Sequence, residues 1–89
     1  MSVVESLPGP AVLLRLRVTA EADPAALARV LERFQNLNIL PRRVVAEYGT
    51  RDLLHVQVDI LGLPEDRLSL IAAKLSQSTS ILDVHWHYV

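Results

Sequence analysis

Three histidines are the side chains in this sequence best suited to bind a metal ion. His85 and His87 are separated by one residue, so a strand would place both imidazoles on the same face. His55 belongs to another segment of alternating apolar residues, and we expect one strand to separate it from them. That strand carries Arg15 and Arg17, whose positive charges oppose a metal ion, and the chain has no cysteine ligand. We therefore expect a solvated polar face, with a metal-sensing site at the three histidines as the weaker alternative.

Catalytic chemistry has little support in the sequence. There is no Ser/His/Asp arrangement, no glycine-rich phosphate loop and no pair of carboxylates at a spacing suited to acid–base catalysis. Arg42 and Arg43 are adjacent, so a strand would point them to opposite faces and they would not form one phosphate clamp. We expect that the protein is not an enzyme and that it uses no cofactor.

The segment between Val18 and Leu27 predicts a turn into a helix. Asp23 can cap this helix, and Pro24 suits its first position because it has no N–H to leave unsatisfied. Apolar residues follow at helical spacing: Leu27, Val30, Leu31 and Phe34. The N–H groups of residues 25–27, together with the helix dipole, would attract a carboxylate or phosphate. If the protein binds a small ligand, this turn is the first site we would consider, although the same residues would also make an ordinary capped helix.

The composition narrows the classes of partner. The chain has 89 residues, a net charge of −1, a pI near 6.3 and no cysteine. This charge gives no support for binding nucleic acid or an anionic membrane. Residues 1–10 lack the features of a signal peptide, and no apolar run approaches the roughly 20 residues that span a bilayer. We expect a cytoplasmic protein with a tail at residues 1–10, rich in proline and glycine at its end, and one domain at residues 11–89.

The order of elements predicts the fold. Strands are expected at about residues 11–19, 39–48, 52–61 and 81–88, with helices at about 24–36 and from Pro64 to the polar segment 76–80. This β-α-β-β-α-β order is typical of the ferredoxin-like α+β fold, with an antiparallel sheet in the order 4-1-3-2 and both helices on one face. Pro41 cannot donate to a strand ladder, so the second strand is predicted at the sheet edge.

Alternation along the strands predicts which side chains face the helices. In the fourth strand, Leu82, Val84, Trp86 and Tyr88 are expected to face the core. The face without helices is expected to carry a polar set of mixed charge: Arg15, Arg17, Arg43, Glu47, His55, Gln57, Asp59, His85 and His87. Such a face can remain in water without a covering layer.

The segments LLRLRVTAEADPAALARVLERFQNLNI and LPEDRLSLIAAKL resemble an ACT domain over about residues 11–89. Within that family the sequence is most similar to the short regulatory subunits of acetolactate synthase. The family's turn typically has the pattern Asp-Arg-Pro-Gly-x-Leu, and its second strand follows Asn-Ile. Residues that match this pattern are Pro24, Leu27, Asn38 and Ile39. Two positions differ from the pattern. Ala22 occupies the position of the family's aspartate, with Asp23 next to it, and Ala25 occupies the position of the family's glycine. A glycine there would let a ligand approach the backbone closely.

The resemblance implies a regulatory module without catalytic activity. It implies a homodimer formed through the second strand, with a small amino acid effector bound at the interface and a catalytic subunit as partner. The positions it implies for effector binding are Ala22, Asp23, Ala25, Ala26, Asn38 and Ile39. A branched-chain amino acid is the effector that the acetolactate synthase type suggests. The alternative is an interaction module that forms oligomers and binds no ligand.

Overall fold

The computed structural model describes residues 12–89. They form β1 (Leu13–Glu21), α1 (Pro24–Asn36), β2 (Arg43–Tyr48), β3 (Leu53–Leu61), α2 (Glu65–Ser76) and β4 (Ile81–Tyr88). The strands pair antiparallel in one sheet with the order β2-β3-β1-β4, and the fold is the predicted ferredoxin-like α+β arrangement. β2 is an edge strand, as predicted. The predicted tail at residues 1–10 lies outside the described residues and stays a prediction.

α1 starts at the residue that the sequence predicted. Asp23 is the N-cap, and its side chain accepts a hydrogen bond from the Ala25 N–H at 3.0 Å. Pro24 occupies the first helical position. A capping oxygen and a residue without an N–H together reduce the number of unsatisfied donors at a helix start. Local chemistry alone therefore determines this boundary.

The end of α1 explains why β2 starts later than predicted. Asn38 has a φ of 58°, and the Ile39 N–H donates to the Phe34 carbonyl at 2.9 Å, which is the hydrogen bond of a Schellman motif. The backbone must then turn before it can join the sheet, and Pro41 has no N–H for a ladder. β2 consequently starts at Arg43 and not near residue 39.

The turn between β2 and β3 is longer than the predicted pair Gly49 and Thr50. It includes Arg51 and Asp52, which have φ values of 61° and 56°. The Gly49 N–H donates to the Leu53 carbonyl at 2.7 Å and closes the hairpin. Arginine seldom adopts the left-handed region, so the sequence pattern gave no signal for Arg51, whereas Asp52 is of a residue type that tolerates this region.

α2 starts at Glu65, one residue later than predicted. Pro64 keeps an extended ψ of 145° and precedes the helix as its cap residue. Glu65 and Asp66 lie in the first turn, where negative charge is favourable to the helix dipole. Within residues 12–89, neither helix is both long and apolar enough to cross a membrane.

The core lies between the two helices and one face of the sheet. Its buried residues are Leu14, Leu16, Val18, Ala20, Ala26, Val30, Phe34, Val56, Val58, Ile60, Leu68, Ile71, Leu75 and Ile81. The internal strands β1 and β3 supply half of them because both strands have neighbours on each side. The buried stripe of α1 runs through Ala26, and Leu31 lies at the surface with 36% exposure. The helical period was therefore predicted correctly, but the buried face is rotated slightly from the predicted one, so that it includes Ala26 and leaves Leu31 at the surface.

The prediction for β4 was partly wrong. Leu82 is 54% exposed and Tyr88 is 51% exposed, whereas Val84 and Trp86 pack against the core as expected. The physical reason for Leu82 is a bulge. Ala20 pairs with Ile81 and the preceding Thr19 pairs with Asp83, which leaves Leu82 as an extra residue without a partner. Ile81 enters the core in its place.

The face of the sheet without helices carries the predicted polar residues. One row across the strands contains Arg43, Asp59, Arg15 and His87, as the strand register shows. Asp59 is only 3% exposed and accepts two hydrogen bonds from Arg15, Nε to Oδ1 at 2.8 Å and Nη2 to Oδ2 at 3.1 Å. These bonds hold the pKa of the Asp59 carboxyl below its usual value, against the opposing effect of burial. The sequence had placed Asp59 on this face but gave no sign of its burial.

Candidate functional site

The residues predicted to bind an effector fall into two groups at opposite ends of α1. The group at the helix start contains Ala22, Asp23, Ala25 and Ala26, and the group after its end contains Asn38 and Ile39. A helix of 13 residues is roughly 20 Å long. Within one copy of the chain, the structure therefore does not bring the two groups together.

An open cavity of about 380 Å³ lies beside the helix start, and we call it the turn cavity. It is lined by Ala22, Asp23, Pro24, Leu27, Tyr48 and Leu54. The Ala22 N–H donates to the Asp52 carbonyl at 2.9 Å, which joins the turn to the β2–β3 hairpin. The Tyr48 hydroxyl donates to the Asp52 carboxylate at 2.8 Å, and this bond raises the pKa of Tyr48. The turn cavity thus has an apolar wall and an exposed carboxylate, that of Asp23.

Two of the three predicted N–H donors at the helix start already have partners. The Ala25 N–H donates to the Asp23 side chain at 3.0 Å, and the Ala26 N–H donates to the Asp23 carbonyl at 2.8 Å. The Ala26 side chain is fully buried in the core, so only its backbone faces the turn. A ligand carboxylate would have to displace the Asp23 side chain. The Asp23 carboxylate is better placed to accept a hydrogen bond from a ligand ammonium group.

A second open cavity, of about 510 Å³, lies beyond the end of α1, and we call it the helix-end cavity. It is lined by Leu31, Phe34, Gln35, Asn38, Ile39, Leu40, Pro41 and Val44. Most of these side chains are apolar, and Leu40 is 92% exposed. The left-handed backbone at Asn38 turns the chain so that Ile39 packs against the core. The helix-end cavity therefore suits an aliphatic group.

Both cavities open beside the edge strand β2. Tyr48 lines the turn cavity and Val44 lines the helix-end cavity. Neither Tyr48 nor Val44 was named as a site residue from the sequence, although alternation along RVVAEY places Val44, Ala46 and Tyr48 on the side of the sheet that carries the helices. Alternation could not show that the helices leave this side of β2 uncovered, with Val44 39% exposed and Tyr48 70% exposed. An uncovered apolar stripe on an edge strand is a surface suited to a partner.

Replacing Asp23 with alanine is expected to lower the free energy of unfolding by about 1 kcal/mol, because the variant loses the N-cap bond to Ala25. Urea unfolding at a fixed protein concentration would measure this. Glu32→Ala is the matched control, since it removes an exposed carboxylate from the middle of α1. An equal loss in both variants would show that the cap contributes nothing beyond its charge.

The histidines lie on the helix-free face, as predicted. The His85 and His87 rings are stacked with centroids 6.5 Å apart, and the His85 Nδ1 lies 3.3 Å from an Asp83 carboxylate oxygen. His55 lies on the far side of β1, with its Nδ1 3.5 Å from the Thr19 hydroxyl. Among the described residues, no group of three or more His, Cys, Asp or Glu side chains is arranged to hold a metal ion.

Solved structures of other proteins share this fold. The C-terminal domain of the MgtC protein from Mycobacterium tuberculosis superposes with a TM-score of 0.74 at 20% identity, over 93% of both chains. The ACT domain of a GTP pyrophosphokinase from Chlorobium tepidum superposes with a TM-score of 0.72 at 14% identity, over 86% of this chain and 99% of that one. A homoserine dehydrogenase from Thiobacillus denitrificans gives a TM-score of 0.70 at 15% identity, over 88% of this chain but only 17% of the enzyme.

At the sequence level, no curated protein matches the chain. A family model does: the model described as an ACT-like domain matches residues 10–89. That range includes both helices, all the strands described above and both cavities beside β2. The match covers nearly the whole sequence, and its fold is the one that the structure shows. The chain therefore belongs to the ACT-like domain family.

Proposed function

We propose that this protein is a non-catalytic regulatory module that binds a small aliphatic amino acid between two copies of the chain. ACT domains are regulatory modules that bind amino acids. The proposal adds the location of the effector, its chemical class and the pairing that completes the site. One observation supports it most strongly: the two halves of the predicted site lie at opposite ends of the same exposed edge strand.

Pairing of β2 with β2 of a second copy would join these halves. The Gly49 N–H donates toward β3, so alternation along the strand directs the Ala46 N–H away from β3. A two-fold axis beside Ala46 would then pair the outward groups of the two copies. In an antiparallel register centred there, Val44 of one copy lies opposite Tyr48 of the other. The helix-end cavity of each copy would thus meet the turn cavity of its partner.

The joined compartment offers each part of an amino acid a partner. The exposed Asp23 carboxylate can accept hydrogen bonds from the ammonium group. The side-chain amide of Asn38 on the other copy can donate to the carboxylate. Ile39 and Leu40 would cover an aliphatic side chain. A branched-chain amino acid is the effector class we propose, in agreement with the resemblance to acetolactate synthase regulatory subunits, and a catalytic subunit of that kind is the proposed partner.

Titration with valine, leucine, isoleucine, serine and phenylalanine, followed by NMR amide spectra, tests this proposal. We expect the branched-chain amino acids to shift resonances of residues 22–27 and 38–41, with dissociation constants of roughly 0.1–1 mM. Ala25 does not itself line the turn cavity, but Ala25→Gly restores the glycine of the family pattern and should tighten binding by letting a ligand approach the backbone more closely, at a stability cost of up to about 1 kcal/mol. Ala28→Gly, at an exposed position farther along α1, is the matched control and should leave binding unchanged.

If no amino acid shifts these resonances in the native chain or in the Ala25→Gly variant, effector binding is excluded. An interaction module that dimerises without a ligand is then the correct description. One observation favours this second candidate: Asp23 already occupies the Ala25 N–H, so the helix start offers a ligand carboxylate fewer donors than the sequence suggested.

A further inference from the structure

A groove of about 440 Å³ crosses the helix-free face of the sheet, on the opposite side from both cavities of the proposed effector site. This volume lies within the range of roughly 300–1,000 Å³ that is common for small-molecule pockets. The polar side chains that line it are Arg17, Thr19, Glu47, His55, Gln57 and His85. They come from all of the strands β1 to β4, so a rigid sheet and not a loop positions them.

Arg17 occupies the middle of this groove. It lies on the internal strand β1, and the register places Gln57 on β3 and His85 on β4 directly beside it. Its neighbour two residues earlier, Arg15, has its guanidinium bonded to Asp59. Within residues 12–89, by contrast, Arg17 takes part in no side-chain hydrogen bond or ion pair. No side chain of residues 12–89 therefore uses the guanidinium donors that Arg17 presents to the groove.

The charged groups around Arg17 favour an anion at one end of the groove. Facing groups on the four strands are Arg15, Arg43, Glu47, Asp59, Asp83 and His87. The charge of Asp59 is already compensated by Arg15, and Asp83 lies against His85. Glu47 is separated from Arg17 by the whole width of β3, about 10 Å across the sheet. The Arg17 end thus combines a fixed positive charge with the side-chain amide of Gln57 and the imidazole of His85.

We propose that this groove binds a phosphate-type oxyanion, carried by a small organic phosphate, through Arg17, Gln57 and His85. A guanidinium matches two oxygens of a phosphate at once, and the neighbouring Gln57 amide can donate to a third. The His85 Nδ1 lies against Asp83, so this ring can also donate to the phosphate from Nε2 in its imidazolium form. The rest of the groove, toward Val45 and His55, would hold the organic part. This site is separate from the proposed effector site because the sheet lies between them.

The first experiment is a titration with inorganic phosphate, monitored through the amide resonances by NMR. Acetate serves as the comparison anion. We expect phosphate to shift the resonances of residues 17, 57 and 85 with a dissociation constant in the millimolar range, and acetate to bind more weakly. Arg17→Gln should weaken phosphate binding by about tenfold or more, because it removes the bidentate charged donor. Arg67→Gln, with the same change of charge on the exposed surface of α2, should leave it unchanged.

Three results would overturn the proposal. One is the absence of shifts at residues 17, 57 and 85 on addition of phosphate. Another is an equal loss of binding in Arg17→Gln and Arg67→Gln, which would mean that only net charge matters. The third is acetate binding as tightly as phosphate, which would exclude the phosphate class. Each variant's amide spectrum reports folding in the same experiment.

Discussion

Replacing Ala46 with proline is expected to raise the dissociation constant of the β2–β2 dimer by roughly 30- to 150-fold, because about 2–3 kcal/mol of pairing energy is lost. Proline removes the outward N–H at the centre of the proposed pairing, in both copies at once. Its ring also occupies the space where the partner's carbonyl would lie. Inside one copy the substitution removes no ladder bond, since an edge strand tolerates proline where its N–H faces outward. Sedimentation or light scattering over a concentration series would measure the change.

Ala46→Ser is the matched control for this experiment. Serine keeps the backbone N–H at the same exposed position, so the dimer should persist. The monomeric proline variant should also lose the binding of branched-chain amino acids, because each half of the site then lacks the other. A native chain that stays monomeric at several hundred micromolar would contradict the pairing, and so would a proline variant that dimerises as well as the native chain.

Replacing Arg15 with methionine is expected to lower the melting temperature by roughly 10–20 °C. The substitution leaves the carboxylate of Asp59, which is 3% exposed, without the two hydrogen bonds from Arg15. An unpaired buried carboxylate destabilises the folded state far more than the loss of a surface ion pair does. Arg43, directly opposite Asp59 on β2, compensates part of the loss. Thermal unfolding at one protein concentration would measure the effect.

Arg17→Met provides the matched control on the same strand and face. Because Arg17 has no ion pair within the described residues, its replacement should change the melting temperature by no more than about 3 °C. The double variant Arg15→Met/Asp59→Leu should recover most of the stability, since an apolar pair can replace a buried ion pair. If Arg15→Met and Arg17→Met lower the melting temperature equally, the Arg15–Asp59 pair has no special role.

The same ion pair makes the stability depend on pH in a definite direction. The pKa of Asp59 is lowered in the folded state, chiefly by the hydrogen bonds from Arg15. A carboxyl whose folded pKa lies below its unfolded value of about 3.9 stabilises the protein above that unfolded value. This stability is lost as the pH falls through the folded pKa. In urea unfolding experiments between pH 6 and pH 2, the free energy of unfolding should therefore fall as the pH is lowered. The fall should be smaller in Asp59→Asn than in the native chain.

Several features of this protein follow from local sequence alone. The start of α1 follows from Asp23 and Pro24, because a side-chain cap and a missing N–H act within a few residues of each other. The topology follows from the order of alternating and helical segments, because few arrangements of such a chain bury all apolar faces. The polar character of the helix-free face follows from alternation in the same way.

Other features depend on contacts between segments far apart in the chain. The bulge that exposes Leu82 arises where β4 pairs with β1, and a period-two pattern in β4 cannot show which residue loses its partner. The burial of Asp59 depends on Arg15, which is 44 residues away in sequence.

The candidate site likewise combines features that follow from local sequence with features that depend on contacts between distant segments. Its residues at both ends of α1 were named from the sequence and the family pattern, but their separation into two cavities is a consequence of the length and packing of the helix. Tyr48 and Val44 became part of the site only because α1 leaves the helix side of β2 uncovered. The sequence by itself determined the elements, their order and their polar and apolar faces, since these depend on neighbouring residues. The tertiary structure decided strand register, burial and cavities, since these depend on which distant segments meet.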